Sequence, residues 1–276
     1  MMIKPAKPKI DIASLLSLPI GAKVTQADLV KTLSSTLSQS RVERRLAMLH
    51  TQDPFMLRMI NRIRTIAYND CPVLITGPTG TGKELLASAC VSSHYRESED
   101  ESYPFIDINC GALNTNLIES TFFGHVRGAF TGADKSTDGL LVQAGCGIVF
   151  LDEIGELPLV NQAALLRAIQ ENEIRPVGSA NKIKIKCRFV AATKHDLSVR
   201  VEQGLFRDDL YARISIFRVR TTGLKERPDD IPYIAKKLNY EGTIPDSALP
   251  HIYKYNVRGL QAVIENMRLF NEWLPD

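Results

Sequence analysis

A short glycine-rich segment with one lysine has the composition of a phosphate-binding loop. It comprises, in order, Gly77, Pro78, Thr79, Gly80, Thr81, Gly82, Lys83 and Glu84. Glycines let the backbone wrap closely around phosphates, toward which successive N–H groups and the start of the next helix point. Lys83 adds a positive charge for the terminal phosphates, and Glu84 stands where the pattern G-x-x-x-x-G-K-S/T has a hydroxyl that binds Mg²⁺. The alternative is a glycine-rich turn that binds no ligand.

Two adjacent carboxylates follow an apolar run further along the chain. Residues 148–151 read Ile-Val-Phe-Leu, and Asp152 and Glu153 come next. A buried strand of this kind delivers such residues to the carboxyl edge of a parallel sheet, where ligands of open α/β folds bind. Asp152 could hold hydrated Mg²⁺, and Glu153 could act as a base on the attacking water. An acidic pair after a strand is also a common helix cap, but together with the glycine-rich segment it predicts a nucleotide-hydrolysing site.

These motifs must be positioned by an alternating series of strands and helices. Short apolar runs predict strands at residues 73–76, 105–108, 147–151 and 189–193. Apolar residues at helical spacing predict helices at 56–67, 83–91 and 161–172, followed by 230–238 and 260–273 with no strand between them. The alternation predicts an α/β fold, in which helices cover both faces of a parallel sheet and a small helical subdomain follows.

Composition and charge limit the class of protein, its compartment and its partners. The chain of 276 residues is 44% hydrophobic and contains five widely spaced cysteines, which is typical of a globular protein with reduced thiols. Because no apolar run is long enough to span a membrane, we predict a cytoplasmic protein without a membrane partner. The net charge is +3, yet residues 1–46 hold eight Lys or Arg against three acidic residues. This basic N-terminal segment could contact an anionic partner such as nucleic acid, or could be a solvated leader.

A second loop motif lies between the glycine-rich segment and the acidic pair. It consists of Gly128, Ala129, Phe130, Thr131, Gly132 and Ala133. This string resembles the signature loop of the sigma-54 activators, the bacterial enhancer-binding proteins, which are AAA+ ATPases. The resemblance runs from about residue 50 to the C-terminus and implies an AAA+ P-loop core at 48–227 and a helical lid at 228–276. It also implies ATP and Mg²⁺ as cofactors, sigma-54 RNA polymerase as the partner touched by Phe130 and Thr131, and a hexameric ring as the working form.

The resemblance further implies roles for five single residues. Asn109 is similar to the residue that restrains the catalytic glutamate until ATP is sensed, and Thr193 resembles sensor I. Arg207 and Arg213 resemble the arginine pair that reaches the γ-phosphate of a neighbouring subunit. Arg258 resembles the sensor II arginine of the lid. Such arginines would neutralise charge on the phosphoryl oxygens during transfer.

Four positions depart from the pattern of this family. Pro78 replaces an acidic residue, Lys194 an asparagine, Lys225 an arginine and Gly259 a glutamate, whereas Glu84 is usual. The lid is also shorter than the family norm by roughly ten residues. Two alternatives therefore stay open, namely an AAA+ protein that remodels another protein or DNA, and a non-hydrolysing subunit that joins such rings.

The basic N-terminal region, residues 1–47, is predicted to be helical. Residues 24–46 read as helix, polar turn and helix, with caps at Thr25 and Ser38. The apolar side would be formed by Leu29, Leu33, Val42 and Leu46, and the DNA-facing side by Gln39, Ser40, Arg41 and Arg44. A helical linker or a partner-docking arm is the alternative, in which case another protein would tether the chain to DNA.

Overall fold

The computed structural model describes residues 42–91, 104–112, 117–270 and 272–273. Its strands are β1 (Val73–Thr76), β2 (Phe105–Asn109), β3 (Gly124–His125), β4 (Thr137–Asp138), β5 (Ile148–Asp152), β6 (Glu173–Ile174), β7 (Ile183–Lys184), β8 (Arg188–Thr193) and β9 (Phe217–Arg220). Its α-helices are α1 (Pro54–Ile66), α2 (Lys83–Ser88), α3 (Ile118–Phe123), α4 (Leu140–Gln143), α5 (Leu159–Glu171), α6 (Leu197–Glu202), α7 (Asp208–Ile214), α8 (Asp230–Lys237) and α9 (Leu249–Phe270). Short 3-10 turns cover Ile154–Glu156, Leu224–Glu226 and Asp246–Ala248. Among the helices of these ranges, none has the length and apolar character needed to cross a membrane.

Five strands form one parallel sheet in the order β2-β5-β8-β1-β9. The four strands predicted from the sequence are confirmed to within one residue at each end. The fifth, β9, is not predicted, because its four residues alternate apolar and charged side chains and its two arginines, Arg218 and Arg220, are exposed. The parallel order brings the carboxyl ends of β1, β2, β5 and β8 to one edge, so that Thr76 pairs with Thr193 and Asn109 with Asp152.

Hydrophobic clusters cover both faces of the sheet, as the alternation predicts. Successive residues of β5 point in opposite directions: Val149 and Leu151 pack toward α3, α5 and α7, while Ile148 and Phe150 pack toward α1 and α2. Each fully buried aliphatic or aromatic side chain of this kind stabilises the fold by ~1.5–3 kcal/mol. The sheet is therefore fixed between two helical layers, and its carboxyl edge is left for polar residues.

The C-terminal helices form a third cluster of their own around Leu224, Ile252 and Leu260. The predicted helix at 230–238 is confirmed as α8, but the start predicted at residue 260 is wrong, because α9 begins at Leu249. Proline in the first turn and a backbone break at Asn256 hide the early part of this helix from a periodicity argument. The glycine at position 259, where the family has glutamate, has a structural reason. A Cβ there would lie 2.9 Å from the carbonyl oxygen of His251.

The described N-terminal residues pack on the core. A helical stretch covers residues 42–46, where Val42 and Leu46 are buried in the same cluster as Ile60 and Ile63. Arg64 forms an ion pair with the exposed Glu43. The rest of the predicted helix-turn-helix lies outside the described residues, so DNA contact through 24–46 and the division of the chain at residues 47 and 227 stay predictions.

A buried arginine joins the amino-terminal end of β8 to the helical layer. Arg188 is only 2% exposed. Its guanidinium donates to the carbonyl oxygens of Ala67 (2.7 Å), Val91 (2.8 Å), Ile66 (2.9 Å) and Cys71 (3.3 Å). The side chain thus satisfies carbonyls at the end of α1 and near the end of α2 that have no partner within their own helices.

Substituting Arg188→Ala is expected to lower the free energy of unfolding by about 3 kcal/mol, because buried carbonyls lose a charged donor. Urea denaturation followed by circular dichroism measures the change. Arg167→Ala is the matched control, since Arg167 is exposed on α5 and its loss should change stability by less than about 0.5 kcal/mol. Equal midpoints for the two variants would contradict this role of Arg188.

Candidate functional site

The glycine-rich segment forms the turn between β1 and α2. Gly77 and Gly80 have φ values of 148° and 76°, which favour glycine. A Cβ at Gly77 would lie 2.0 Å from Thr221 Oγ1, and one at Gly80 would lie 2.1 Å from the carbonyl oxygen of Tyr255. The loop therefore depends on glycine for close backbone approach on two sides, toward the end of β9 and toward the lid.

Lys83 lies at the start of α2 and is only 7% exposed. Its Nζ donates to the carbonyl oxygens of Gly77 (3.0 Å) and Pro78 (3.2 Å). Burial lowers the pKa of Lys83, while the nearby carboxylates of Glu153 and Asp152 oppose that shift. The ammonium is thus held across the mouth of the loop, where phosphate oxygens could replace the two carbonyls.

The acidic pair lies at the carboxyl end of β5, as predicted. Burial raises the pKa of Asp152, and Lys83 and Arg258 are among the charges that oppose the rise. Glu153 has a left-handed backbone with φ 49°, a conformation that is uncommon for residues other than glycine. Burial and the neighbouring carboxylates raise the pKa of Cys110 to about 12, so this cysteine stays a thiol beside the pair.

Lys194 holds the carboxylate of Glu153 through its main chain. The Lys194 N–H donates to Glu153 Oε2 at 3.1 Å. Asn109, which the resemblance assigns to restraining this glutamate, lies beside Asp152 in the sheet and accepts from the Gly111 N–H at 3.0 Å. Because the contact to Glu153 uses a backbone donor, a lysine at position 194 preserves it.

The Lys194 side chain belongs to a separate charged group outside the acidic pair. Its Nζ lies 4.0 Å from Glu156 Oε1, which is also 2.5 Å from His195 Nε2. The hydrogen bond from His195 holds the pKa of Glu156 below its ordinary value, and Arg200 adds to this shift. The lysine therefore turns toward Glu156, on the turn after β5.

Thr193 ends β8 and is completely buried. Its carbonyl oxygen accepts from the Gly77 N–H at 3.1 Å, and its Oγ1 accepts from the His195 N–H at 3.0 Å. The residue assigned to sensor I is thus joined directly to the first glycine of the phosphate loop.

One cavity brings most of the predicted binding residues together. It has a volume of about 460 Å³, within the usual range for small-molecule sites. It is lined by the residues from Thr79 to Leu85 together with Asp152, Glu153 and Arg258. Apolar side chains also line it, namely Met48, Leu49, Met56, Ile234, Leu238 and Val257. Charged groups for phosphates and apolar side chains for a base suit a nucleotide.

The two arginines assigned to a neighbouring subunit do not line this cavity. Arg207 is exposed and forms an ion pair of 2.7 Å with Asp209. Arg213 lines a different cavity, beside Arg188 and Asn172. Neither arginine therefore contributes to this cavity of its own chain.

Sequence reasoning did not identify Gln162, which lies in α5 and is completely buried. Its Nε2 donates to the carbonyl oxygens of Leu157 (2.7 Å) and Leu205 (3.2 Å), and its Oε1 accepts from the Arg207 N–H at 2.8 Å. The side chain joins the turn that follows the acidic pair to the segment that carries Arg207. A polar residue on the apolar face of a predicted helix is the signal that could have found it.

The signature loop projects from the short hairpin of β3 and β4, and none of its residues lines this cavity. Gly128 N–H donates to the carbonyl oxygen of Ala133 at 2.9 Å, which closes the loop on itself. Phe130 is 39% exposed, and its ring lies 5.0 Å from the ring of His125. An exposed aromatic residue on a closed loop can contact a partner protein.

Comparison with known proteins identifies the family. The model of the sigma-54 interaction domain matches residues 49–220, which is more than half of the chain. This chain belongs to the sigma-54 interaction domain family, and its fold is an AAA+ P-loop core with a C-terminal helical lid.

Relatives and solved structures agree with this assignment. The transcriptional regulatory protein GlrR of Escherichia coli K12 is 39% identical over 252 residues, which cover 86% of this chain and 56% of GlrR. The Nif-specific regulatory protein of Azotobacter vinelandii is 42% identical over 231 residues, which cover 79% of this chain and 44% of that protein. NtrX from Brucella abortus in complex with ADP superposes with a TM-score of 0.66 at 27% identity, covering 91% of this chain and 58% of NtrX. The chain spans about half the length of the curated relatives it matches.

Proposed function

We propose that this chain hydrolyses ATP and uses the hydrolysis to remodel the closed promoter complex of sigma-54 RNA polymerase. The observation that carries the proposal is one cavity lined by Lys83, Asp152, Glu153 and Arg258 together with several apolar side chains. The family and the ADP complex of NtrX support a nucleotide in this cavity.

The residues of the cavity fit ATP with Mg²⁺. The close backbone approach at Gly77 and Gly80 leaves a concave loop without side chains for the phosphates. Within the described ranges no group of three or more His, Cys, Asp or Glu is placed to enclose a metal. Mg²⁺ is commonly held by one or two carboxylates, waters and substrate phosphates, and Asp152 offers that carboxylate. When bound, Mg²⁺ would neutralise charge between the terminal phosphates.

Each residue of the site then has a distinct task. Lys83 exchanges its two carbonyl partners for phosphate oxygens. Glu153 accepts a proton from the attacking water, while the Lys194 N–H orients its carboxylate. Arg258 contributes to the cavity from the lid and senses whether the cavity is filled. These tasks combine positioning and charge neutralisation, which account for most of the catalysis of phosphoryl transfer.

We further propose that the active form is a ring of copies, of which a hexamer is the family's form. Arg207 and Arg213 lie outside the cavity of their own chain, so they can serve a phosphate only in a neighbouring copy. Gln162 fixes the backbone of Arg207 to the turn after the acidic pair. A change at one nucleotide site could thereby reach the arginine that faces the next site.

We assign contact with the sigma factor to the signature loop. Phe130 and Thr131 would touch the sigma factor, and nucleotide turnover would move the loop that carries them. The separation of this loop from the cavity supports a division between an ATP site and a partner-binding tip.

Thr131→Ala is expected to keep ATP turnover within about twofold of the wild type while losing most sigma-54 binding, because Thr131 is exposed on the loop and remote from the cavity. The measurement is a pull-down of sigma-54 in the presence of an ATP transition-state analogue, paired with a phosphate-release assay.

Thr65→Ala is the matched control, since Thr65 is also exposed and its hydroxyl bonds only to Asn61 of its own helix. Both binding and turnover should be unchanged in this control. A parallel loss of turnover and sigma-54 binding in Thr131→Ala would refute the division of labour.

A further inference from the structure

The lid helix is broken at a residue whose backbone is strained. Asn256 interrupts α9 with φ 57° and ψ −130°, a backbone conformation that residues other than glycine rarely adopt. The residue is 1% exposed. Strain at a buried residue persists only where surrounding contacts determine it, so the partners of Asn256 indicate what the break is for.

The side chain of Asn256, in the lid, bonds both to the phosphate loop and to Leu224, in the segment after β9. Its Nδ2 donates to the carbonyl oxygen of Thr79 at 2.9 Å, and its Oδ1 accepts from the Leu224 N–H at 2.7 Å. One partner is an acceptor and the other a donor, so the orientation of the amide is fixed by its neighbours. A third bond lies alongside, from the Val257 N–H to the carbonyl oxygen of Gly80 at 3.0 Å.

Two glycines make room for this connection. The backbone of Tyr255 lies so close to Gly80 that a Cβ there would be 2.1 Å from the Tyr255 carbonyl oxygen. A Cβ at Gly223 would lie 2.9 Å from Asn256 Oδ1. The lid is thus in direct contact both with the phosphate loop and with the segment after β9 that holds Gly223 and Leu224.

These bonds also set the direction of the loop's own donors. In a trans peptide the C=O and the following N–H point in opposite directions. With the carbonyl of Thr79 turned toward Asn256 and that of Gly80 toward Val257, the N–H groups of Gly80 and Thr81 point away from the lid contact. A loop that binds phosphates by its backbone needs such N–H groups oriented before the ligand arrives.

We propose that Asn256 is a positioning residue for nucleotide binding, which orients the phosphate loop and couples it to the lid through one buried amide. The proposal rests on the nucleotide-binding part of the proposed function and is independent of hydrolysis and of sigma-54. Arg258 follows two residues later and lines the cavity, so the same break places the lid arginine and the loop together.

The test compares ADP affinity with thermal stability in the full chain. Asn256→Gly suits the φ and ψ of the break, so the kink and the fold should survive while the amide is lost. We expect a melting temperature within a few degrees of the wild type and a roughly tenfold higher Kd for ADP by titration calorimetry.

A second substitution keeps one of the two bonds. Asn256→Asp retains an acceptor for the Leu224 N–H but places a carboxylate against the Thr79 carbonyl oxygen of the phosphate loop. Because the added negative charge also opposes an anionic ligand, its ADP affinity should fall further than that of the glycine variant, while the contact with Leu224 keeps the chain folded. Asn266→Ala is the matched control, because the Asn266 amide donates only within α9, to the carbonyl oxygen of Ala262.

The outcomes separate this inference from the proposed function. If the wild type binds ADP and both folded variants bind it within about twofold of the wild-type Kd, Asn256 only shapes the kink and the inference is overturned. If the wild type itself does not bind ADP, the nucleotide site is overturned and the inference with it. Weaker binding by folded Asn256→Gly at unchanged Asn266→Ala affinity supports the positioning role. Weaker binding by Asn256→Asp alone overturns it, because the introduced charge then accounts for the loss.

Discussion

Lys83→Ala is expected to weaken ADP and ATP binding by about 100-fold or more. A charged hydrogen bond in a partly dry site contributes about 1.5–3 kcal/mol, and the loss of the charge near several phosphate oxygens adds to it. Lys83 is the cation at the mouth of the loop, where its ammonium is already desolvated and bonded to Gly77 and Pro78. Titration calorimetry with ADP, or displacement of a fluorescent nucleotide, measures the change.

Lys182→Ala supplies the control for the lost charge. Lys182 is exposed and pairs with Glu171 and Glu173, away from the nucleotide cavity. Its removal should leave ADP affinity unchanged while lowering the net charge by the same amount. Unchanged affinity in the Lys83 variant as well would remove the basis for a phosphate site in this loop.

The parts of this site that were predictable from sequence are those encoded by short local patterns. The glycine-rich segment, the carboxylates after an apolar run and the four predicted strands each depend on residues adjacent in the chain. The spacing of glycines predicts the backbone shape of the loop, and a buried strand predicts that the residues after it lie at the carboxyl edge of the sheet. The α/β order could therefore be predicted, and with it the meeting of Lys83 and Asp152 at one edge of the sheet.

The connections between these parts could not be predicted, because they depend on residues far apart in the chain. Gln162 and Asn256 act through backbone atoms of distant segments, which carry no sequence signal. The contact from Lys194 to Glu153 uses a main-chain N–H, which does not depend on the side chain. The lysine in place of the family's asparagine therefore alters this contact less than the sequence suggests. The early start of α9 is hidden for a similar reason, since the break at Asn256 is maintained by tertiary contacts.

A buried ion pair gives the lid a second attachment to the core, beside the cavity residues Thr51 and Arg227. Asp230, at the start of α8, accepts from Arg227 Nη1 at 2.7 Å, from Thr51 Oγ1 at 2.5 Å and from the Gln52 N–H at 2.7 Å. A buried pair with this many partners fixes one geometry rather than adding much net stability. The lid is therefore attached to the core at two points, through Asn256 and through Asp230.

Glu153→Gln should leave nucleotide binding within about twofold and reduce ATP turnover by about 10²- to 10⁴-fold, the usual contribution of a general base. The amide has the same shape as the carboxylate, and its oxygen can still accept from the Lys194 N–H, so the left-handed backbone of residue 153 should be kept. What it loses is the ability to take a proton from water. Phosphate release under saturating ATP measures turnover, and calorimetry with ADP checks that the cavity is intact.

The control for Glu153→Gln is Glu171→Gln, an exposed carboxylate near the end of α5 that pairs only with Lys182 among the ion pairs of the described residues. It should turn over ATP like the wild type. Wild-type turnover in Glu153→Gln would exclude this glutamate as the base. No turnover in the assembled wild type and in the variant, with ADP binding intact in both, would favour the non-hydrolysing ring subunit, because the cavity would then bind nucleotide without a competent arrangement of water, base and neighbouring arginine.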